Sequence, residues 1–153
     1  MKLILLCVGK LRSAPLRDVC DDYLSRLHRY GRAEIKEVKA ADGMSPEQAR
    51  TTESERLLKA LESSDSVFIL DERGQQISSR ELADVLNKHE LRNVKRAVFV
   101  LGGAYGMSNA VRAKGKLLAL SRLTLPHELC RALFLEQLYR ARTILKGEPY
   151  HHD

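Results

Sequence analysis

The sequence contains no tryptophan, and aromatic residues make up only 5% of its 153 positions. Proteins that hold single-stranded nucleic acid by stacking bases on aromatic side chains need more of them. We therefore expect no base-stacking platform of that kind. Hydrophobic residues still account for 44% of the chain, which is enough for a core. The length suits one domain of ordinary size, covering residues 1–153.

Cysteine is also scarce. Cys7, Cys20 and Cys130 are far apart in the chain and form no C-x-x-C pair or cluster with metal-ligand spacing. His151 and His152 are adjacent, but the sequence fixes no further ligands near them, so we expect no metal site. An odd, scattered set of cysteines in a chain of this size favours a reducing compartment, with the thiols buried as small apolar side chains.

Long hydrophobic runs are missing as well. No apolar run approaches the roughly 20 residues of a membrane-spanning helix, and Lys2 is followed by only six apolar residues before Gly9, so no signal peptide is expected. These features predict a cytoplasmic protein that does not contact membranes.

Lysine and arginine total 26 against 20 acidic residues, a net charge of +6. This balance favours a polyanionic partner without requiring one.

Apolar runs alternate with helical patterns along the chain. Runs typical of strands buried on both faces occupy Lys2–Val8, 66–70 and Arg96–Leu101, while Ala33–Val38 alternates as an edge strand does and 116–120 is a weaker strand. Helices are predicted from Pro15, over 46–61, 79–91 and 109–114, and over 127–145. This alternation predicts an α/β fold: a mostly parallel sheet with helices on both faces.

The helix predicted over 46–61 is heavily charged and has only a narrow apolar face, formed by Leu57, Ala60 and Leu61. A helix with so little apolar surface is expected to lie on the outside of the domain, largely exposed to solvent.

The last predicted helix is apolar around most of its circumference. At about 100° per residue, its large apolar residues spread over nearly every face: Leu129, Leu133, Phe134, Leu135, Leu138, Tyr139, Ile144 and Leu145. In a small domain the sheet covers one face of such a helix, and a second copy of the chain is the expected cover for another. The alternative, a helix sunk centrally in a monomer, is harder to build with 153 residues. We therefore predict a homodimer.

Three polar loops, at 71–74, 102–108 and 121–126, each follow a predicted strand. Ligands of open α/β sheets bind beyond the carboxyl ends of the strands, where such loops gather. The GGAYG segment at 102–106 does not match G-x-G-x-x-G, and Arg122 stands where an acidic partner is needed, which disfavours a nicotinamide dinucleotide. The absence of G-K-[ST] excludes a P-loop. The glycines either allow close approach to a flat ligand or form a plain tight turn.

Charged residues on the final helix offer further candidates. Glu136 and Arg140 are four residues apart and can pair, either as part of a dimer interface or to position a substrate. Arg131 and Arg142 lie on another stripe, where they can meet phosphates. His127, at the start of the helix, can reach a ligand or cap the helix.

Four segments together carry a resemblance to a known family. They are FVLGGAYGMS at 99–108, LSRLTLPH at 120–127, EQLYRA at 136–141 and PYH at 149–151. In this order and spacing they resemble the ribosomal large-subunit pseudouridine N3-methyltransferases, the RlmH type of the SPOUT superfamily. Matching residues at 2–3, 8–9, 70–71 and 74 extend the resemblance over essentially the full chain.

This resemblance implies a C-terminal trefoil knot, an exception to the rule that chains do not knot. It also implies a homodimer formed through the knot and S-adenosyl-L-methionine bound there in a bent conformation. By similarity, the expected cofactor contacts are Leu70, Gly102, Gly103, Leu120, Ser121, Arg122, Leu123, Thr124 and Leu125. Backbone groups are expected to meet the adenine, with Gly103 allowing close approach beside it.

The implied reaction is methylation of N3 of a pseudouridine in 23S rRNA, with the assembled 70S ribosome as substrate. The enzyme has to align donor and acceptor and remove the N3 proton. The expected catalytic residues are His127, Arg140, Tyr150 and His151, with the tail residues Tyr150 and His151 closing over the site and Arg140 stabilising charge. Further candidates for a base, or for a positive charge that favours the N3 anion, are Arg131, Glu136 and Tyr139.

Two other interpretations remain open. One is a SPOUT methyltransferase that acts on transfer RNA or on another rRNA position. The other is a dimeric ribosome-binding or assembly factor without catalytic activity, which the intact glycines at 102 and 103 and the intact loop at 120–127 argue against.

Overall fold

A five-stranded sheet forms the centre of the computed structural model, which describes residues 1–152. The strands are β1 (Lys2–Val8), β2 (Ala33–Val38), β3 (Ser66–Gln76), β4 (Arg96–Leu101) and β5 (Lys116–Ala119). They lie in the order β2-β1-β4-β3-β5. Every pairing between neighbouring strands is parallel, so the predicted mostly parallel sheet is confirmed and β2 is an edge strand as expected.

Serine residues cap the first turns of four of the five helices. The helices are α1 (Ala14–Leu27), α2 (Pro46–Ala60), α3 (Ser79–Leu91), α4 (Asn109–Arg112) and α5 (His127–Lys146). Ser45 and Ser78 each accept a hydrogen bond from a main-chain N–H and form a full capping box, which satisfies N–H groups that a helix start leaves unpaired. At the other end of α5, Gly147 adopts a left-handed conformation with φ of 66°, as helix C-termini often require.

Two layers of helices cover the sheet. Helices α1, α3 and α5 form one layer with the larger core cluster, and α2 and α4 lie on the opposite face with the smaller cluster. Alternate residues of β1 enter the two layers: Leu3, Leu5 and Cys7 the first, Ile4, Leu6 and Val8 the second. Since both faces of β1 are buried, its continuous apolar run is explained.

Strand β3 continues past the predicted end at residue 70. Leu70 and Gln75 both pair with Leu118 of β5, so residues 71–74 form an interruption within the strand and not a turn after it. A Cβ added to Gly74 would lie 2.5 Å from the main-chain nitrogen of Leu118. Only glycine lets the two backbones approach this closely.

Helix α2 is less exposed than its charge pattern predicts. Its apolar face buries Leu57 as expected, but Glu53 and Ser54 are also buried, at 5% and 2% exposure. The Ser54 hydroxyl accepts a hydrogen bond of 2.9 Å from the main-chain N–H of Ser108. Two polar side chains therefore face inward from a helix that the sequence places on the surface.

Helix α5 is covered mostly within the chain itself. It packs between α1 and α3 over the sheet and buries Phe134, Leu135 and Leu138 completely. The structure therefore corrects the expectation that a central helix in one chain is hard to build, because α1, α3 and the sheet cover most of the apolar circumference of α5. Leu129 and Leu133 remain 39% and 36% exposed. These two residues form the α5 stripe, the part of the helix that still lacks apolar cover.

The three cysteines are free and buried, as predicted. Burial raises the pKa of Cys7 to about 12 and that of Cys20 to about 11, so neither thiol is a nucleophile near neutral pH. Among residues 1–152, no helix combines the length and hydrophobicity needed to cross a bilayer.

Candidate functional site

A cavity of about 710 Å³ opens where β3 is interrupted after Leu70 and at the carboxyl ends of β4 and β5. Its walls come from the interruption of β3, from the loops that follow β4 and β5, from the start of α2 and from the first turn of α5. The volume lies within the range of small-molecule sites. The structure thus brings together loops that are separated by tens of residues in the chain, at the sheet edge where the strand pattern predicts a ligand.

Eight of the nine predicted cofactor residues line this cavity. They are Leu70, Gly102, Gly103, Leu120, Ser121, Leu123, Thr124 and Leu125. Arg122, the ninth, is exposed and does not contribute to the wall. Leu70 stands where β3 is interrupted, Gly102 follows the end of β4, and the other loop follows β5. The grouping supports a shared ligand, and the role of each residue stays a prediction.

The two glycines are required by packing behind the cavity wall. A Cβ on Gly102 would lie 2.6 Å from Cγ of Met107, and one on Gly103 would lie 2.7 Å from Oε2 of Glu53 and 3.2 Å from Cγ1 of Val8. From the resemblance, Gly103 is expected to leave room for a ligand. In the direction of a Cβ, however, that room is already filled by the protein.

Asp71 and Arg112 hold two walls of the cavity together. Arg112 Nε donates to Asp71 Oδ2 at 2.7 Å, and Arg112 Nη1 donates to the carbonyl oxygen of Met107 at 2.6 Å. Burial opposes the ionised form of Asp71, but hydrogen bonds from the main chain of Arg73 and from Arg112 outweigh it, so the pKa of the carboxyl is lowered. The pair is therefore a permanent ion pair at neutral pH.

His127 lines the cavity at the start of α5. It does not cap the helix, which has no side-chain cap hydrogen bond. Glu128 reaches back instead to the main-chain N–H groups of Arg12 and Ser13. Burial and the charge of Arg131 lower the pKa of His127 below its ordinary 6.5. The imidazole is thus neutral at pH 7, the form in which it can accept a proton.

Arg140, Tyr150 and His151 meet in a separate place, which we call the tail cluster together with Glu136. Arg140 Nε donates to Glu136 Oε1 at 3.0 Å, and its Nη1 lies 3.3 Å from His151 Nδ1. The guanidinium stacks over the Tyr150 ring, 4.8 Å from its centroid, and the Tyr150 hydroxyl donates to Glu136 at 3.1 Å. None of these four residues lines the cavity.

The predicted catalytic set is therefore split between two places. His127 and Arg140 are 13 residues apart on one helix, a rise of about 20 Å. Within one chain, the tail does not close over the cavity. Sequence reasoning also missed Tyr23, whose hydroxyl is 3.3 Å from that of Tyr150. No local signal marks Tyr23, because it belongs to the apolar stripe of α1.

The phenol of Tyr150 stays protonated. Burial, the hydrogen bond with Tyr23 and the neighbouring Glu136 all raise the pKa of the hydroxyl. A phenolate is thereby disfavoured near neutral pH, so in this arrangement Tyr150 can donate a hydrogen bond but is not suited to remove a proton.

The prediction that Arg131 and Arg142 meet phosphates is wrong. Arg131 is 0% exposed and donates to Glu37 and to the carbonyl oxygens of Val8 and Gly9. Arg142 is 6% exposed and donates to Glu90 at 2.6 Å. Helical spacing indicates only that two side chains share a direction, and here that direction leads inward.

Glu53 is a buried carboxylate that the sequence does not single out. Its Oε1 accepts a hydrogen bond of 3.0 Å from the main-chain N–H of Ala41. Its Oε2 is fully buried and has no hydrogen-bond partner among the residues described. In a helix rich in charge, a single inward glutamate has no distinguishing pattern.

In residues 1–152, no three His, Cys, Asp or Glu side chains are grouped to hold a metal ion.

Comparison with known proteins adds independent information. Residues 1–151 match the family model described as "Predicted SPOUT methyltransferase". The chain is 46% identical over 154 positions to the ribosomal RNA large subunit methyltransferase H of Geobacter metallireducens, and 42% identical over 157 positions to the protein of that name from Porphyromonas gingivalis. Both alignments cover 100% of each chain.

Two solved structures share the fold at low sequence identity. A probable methylase family protein from Haemophilus influenzae Rd KW20 superposes with a TM-score of 0.54 at 14% identity, covering 99% of this chain and 70% of that one. TrmJ from Z. mobilis ZM4 superposes with a TM-score of 0.51 at 12% identity, covering 99% and 73%. At these identities the likeness concerns the chain path alone.

Proposed function

The chain belongs to the SPOUT methyltransferase family, and we infer that it methylates the RNA of the large ribosomal subunit, the 23S rRNA. Its full-length relatives at 46% and 42% identity bear the name of that activity. The observation that supports a site for this activity is the cavity between the interruption of β3 and the carboxyl ends of β4 and β5, because the segments that resemble the RlmH type form its walls.

We propose S-adenosyl-L-methionine as the methyl donor and N3 of a pseudouridine in the assembled 70S ribosome as the acceptor. The residues fit such a donor, since a cavity of about 710 Å³ combines leucine side chains with loop backbone and fixed charges. When bound, it supplies a sulfonium methyl group: the N3–C bond forms, the C–S bond breaks with its electron pair on sulfur, and the N3 proton is left for a base.

His127 is the residue we assign as that base. It is the one member of the predicted catalytic set that lines the cavity, and its pKa is lowered, which keeps it neutral. A neutral imidazole takes the N3 proton as the imide nitrogen becomes nucleophilic. The ion pair of Asp71 and Arg112 holds the walls in place meanwhile, so donor and acceptor stay aligned.

A homodimer would reunite the two halves of the predicted catalytic set. Leu133, in the exposed α5 stripe, is six residues after His127 and seven before Arg140. If two copies of α5 cross antiparallel at Leu133, His127 of one copy and Arg140 of the other lie at similar heights, about 10 Å from the crossing. The tail cluster of one subunit would then approach the cavity of its partner, and Tyr150 and His151 would close over that site.

The finer features of the fold remain part of this proposal: a single domain over 1–153 and a C-terminal trefoil knot. We place the protein in the cytoplasm, where its ribosomal substrate is.

Methyl transfer from labelled S-adenosylmethionine tests the function. The acceptors are 70S ribosomes, separated subunits and transfer RNA from cells that lack the gene. Label at a pseudouridine in 23S rRNA, obtained with 70S particles alone, is the expected result. Label in transfer RNA would overturn the proposed substrate, and cofactor binding without any transfer would support a ribosome-binding factor instead.

A further inference from the structure

Arg112 has an unused end of its guanidinium group beside the cavity. Its Nε donates to Asp71 Oδ2 at 2.7 Å, and its Nη1 donates to the carbonyl oxygen of Met107 at 2.6 Å. Among the residues described, the two N–H groups of Nη2 have no hydrogen-bond partner. A guanidinium group has five N–H donors. Its contacts with Asp71 and Met107 therefore leave the Nη2 end without a structural role.

This Nη2 lies where a ligand in the cavity can reach it. A Cβ added to Gly106 would lie 3.8 Å from Nη2, and Gly106 and Arg112 both line the cavity. The Arg112 side chain is 19% exposed, so it is open to the cavity but largely shielded from bulk solvent. Hydrogen bonds to a charged group are stronger in such a place than on the open surface.

The guanidinium group is also fixed before any ligand arrives. The Asp71 side chain that pairs with it is itself only 5% exposed, and the second hydrogen bond, to Met107, comes from a different nitrogen of the same plane. A donor that is already immobilised loses little conformational entropy on binding. The planar arrangement of its N–H groups matches the oxygens of a carboxylate.

We propose that Nη2 of Arg112 binds the carboxylate of the methyl donor, an inference that rests on the proposed function. S-adenosylmethionine has one carboxylate, at its amino-acid end. The resemblance places its adenine against the loop at 120–125, whereas Arg112 joins the walls formed by 71–74 and 102–108. Arg112 therefore holds the end of the donor that lies away from the adenine, and it sets the direction in which the sulfonium group points.

A phosphate of the RNA substrate fits this position less well than a carboxylate. A phosphodiester is flanked by a ribose on each side, so it is best met by side chains that project into solvent. Arg50 and Arg73, the other two arginines of the cavity wall, are both exposed. Arg112 is the most shielded of the three, which suits a small ligand group that enters the cavity.

Calorimetry with two adenosine ligands tests this proposal without ribosomes. S-adenosylhomocysteine keeps the carboxylate, and its decarboxylated analogue lacks that group alone. We expect Arg112→Met to weaken the binding of S-adenosylhomocysteine about tenfold or more, as the loss of a hydrogen bond to a charged group does. The affinity for the analogue should fall by less than about twofold. The ratio of the two affinities is the decisive quantity, because general damage to the cavity wall would weaken both ligands.

Two further variants complete the comparison. Lys114→Met removes the same charge from an exposed residue of the same segment, outside the cavity wall, and should leave both affinities unchanged. If Arg112→Met does not fold because Asp71 loses its partner, the double variant Asp71→Asn/Arg112→Gln replaces the ion pair with an uncharged pair. We expect the double variant to lower the ratio of affinities about tenfold as well.

Steady-state methyl transfer gives a second measurement. The carboxylate does not react, so its contact with Arg112 stabilises the bound donor and the transition state equally. We therefore expect Arg112→Met to raise the KM for S-adenosylmethionine about tenfold and to change kcat by less than about threefold. A higher KM for ribosomes together with an unchanged ratio of affinities would identify an RNA phosphate as the ligand of Arg112 and overturn the proposal.

The outcomes separate this inference from the proposed function. A ratio of affinities that stays at the wild-type value in both Arg112→Met and the double variant would overturn the role of Arg112 alone. A wild-type protein that binds neither ligand would overturn the proposed methyl donor. A protein that shows the expected change in the ratio but methylates no ribosomal RNA would support the role of Arg112 and overturn the proposed RNA substrate.

Discussion

The guanidinium of Arg131 lies 2.7 Å from the main-chain carbonyl oxygen of Val8 and joins the last helix to the end of the first strand. The same side chain donates to Gly9 at 2.9 Å and to Glu37 at 2.9 Å. It is fully buried, although the sequence offered it as a phosphate contact. A buried charge is tolerated only when it is paired. Arg131 therefore has a structural role, in which it fixes α5 to the end of β1 next to the cavity.

Replacing Arg131 should therefore destabilise the protein strongly. Arg131→Met leaves two main-chain oxygens without this donor and removes the charge partner of Glu37, which keeps only the N–H of Leu11, and we expect the free energy of unfolding to fall by about 3–5 kcal/mol. Urea denaturation followed by circular dichroism measures this. The exposed Arg29→Met is the control and should change the value by less than about 0.5 kcal/mol. Equal stability of the two variants would contradict a structural role for Arg131.

A charge in the α5 stripe should prevent dimerisation. Leu133 is 36% exposed, and Leu133→Glu would place a carboxylate in the proposed apolar contact, which desolvation makes unfavourable. We expect a folded monomer by analytical ultracentrifugation, with S-adenosylmethionine binding kept and methyl transfer lost. Leu91→Glu, at a leucine that is 75% exposed elsewhere, should remain dimeric and active. A dimeric Leu133→Glu protein would place the interface on another surface.

The hydroxyl of Tyr150 should matter for transfer but not for cofactor binding. Tyr150→Phe removes the hydrogen bonds to Glu136 and Tyr23 in a cluster that does not line the cavity of its own chain. We expect the rate of methyl transfer to fall about tenfold, which corresponds to roughly 1.4 kcal/mol and lies within the range for the loss of one or two hydrogen bonds, with unchanged affinity for S-adenosylmethionine. Steady-state kinetics measures the rate of methyl transfer, and calorimetry measures the affinity for S-adenosylmethionine.

Tyr30→Phe provides the comparison for that experiment. It removes a hydroxyl that is bonded to Glu148 in the neighbouring aromatic group, and its activity should stay near the wild-type value. If both variants lost activity equally, the tail cluster would be acting through stability and not through a specific contact at the reaction site.

Because of the ion pair between Asp71 and Arg112, the free energy of unfolding should decrease when the pH falls into the acidic range. Because the folded-state pKa of Asp71 lies below its ordinary 3.8, the stabilisation is fully present above pH 3.8 and is lost as pH falls through the lower folded value. Asp71→Asn should be less stable by about 2 kcal/mol at pH 7, and the difference should shrink below pH 4. Urea denaturation from pH 7 to pH 2.5 shows this, with the exposed Asp18→Asn as control. A difference that stays constant down to pH 2.5 would contradict the ion pair.

Local patterns predicted most of the fold. The bounds of β1 and α3 match their apolar run and helical spacing, because hydrophobic period and serine caps act within a few residues. The end of β3 was missed, since Gln75 pairs with Leu118 of β5 and no feature near residue 75 shows that partner. The cover of α5 was misjudged in the same way: α1 and α3, distant in the chain, enclose it.

The candidate site was predicted in part. Eight of the nine cofactor residues predicted from the resemblance line one cavity. The strand pattern predicts such a grouping, because the carboxyl ends of parallel strands lie at the same edge of the sheet. The separation of His127 from Arg140 could have been read from helix length alone. The positions of Glu53 and Tyr23 beside the cavity wall and in the tail cluster could not be predicted from the sequence, since they depend on neighbours on other elements.

The sequence by itself determined the alternation of strands and helices, the parallel sheet and the family, because these depend on local periodicity and on motifs in a set order. Only the tertiary structure decided which charged side chains turn inward. Arg131, Arg142 and Glu53 have the same residue types as the exposed surface. Their burial depends on partners such as Val8, Glu90 and Ala41, which come near only when distant segments pack. Burial lowers the effective dielectric constant around a charged group and so strengthens its electrostatic interactions.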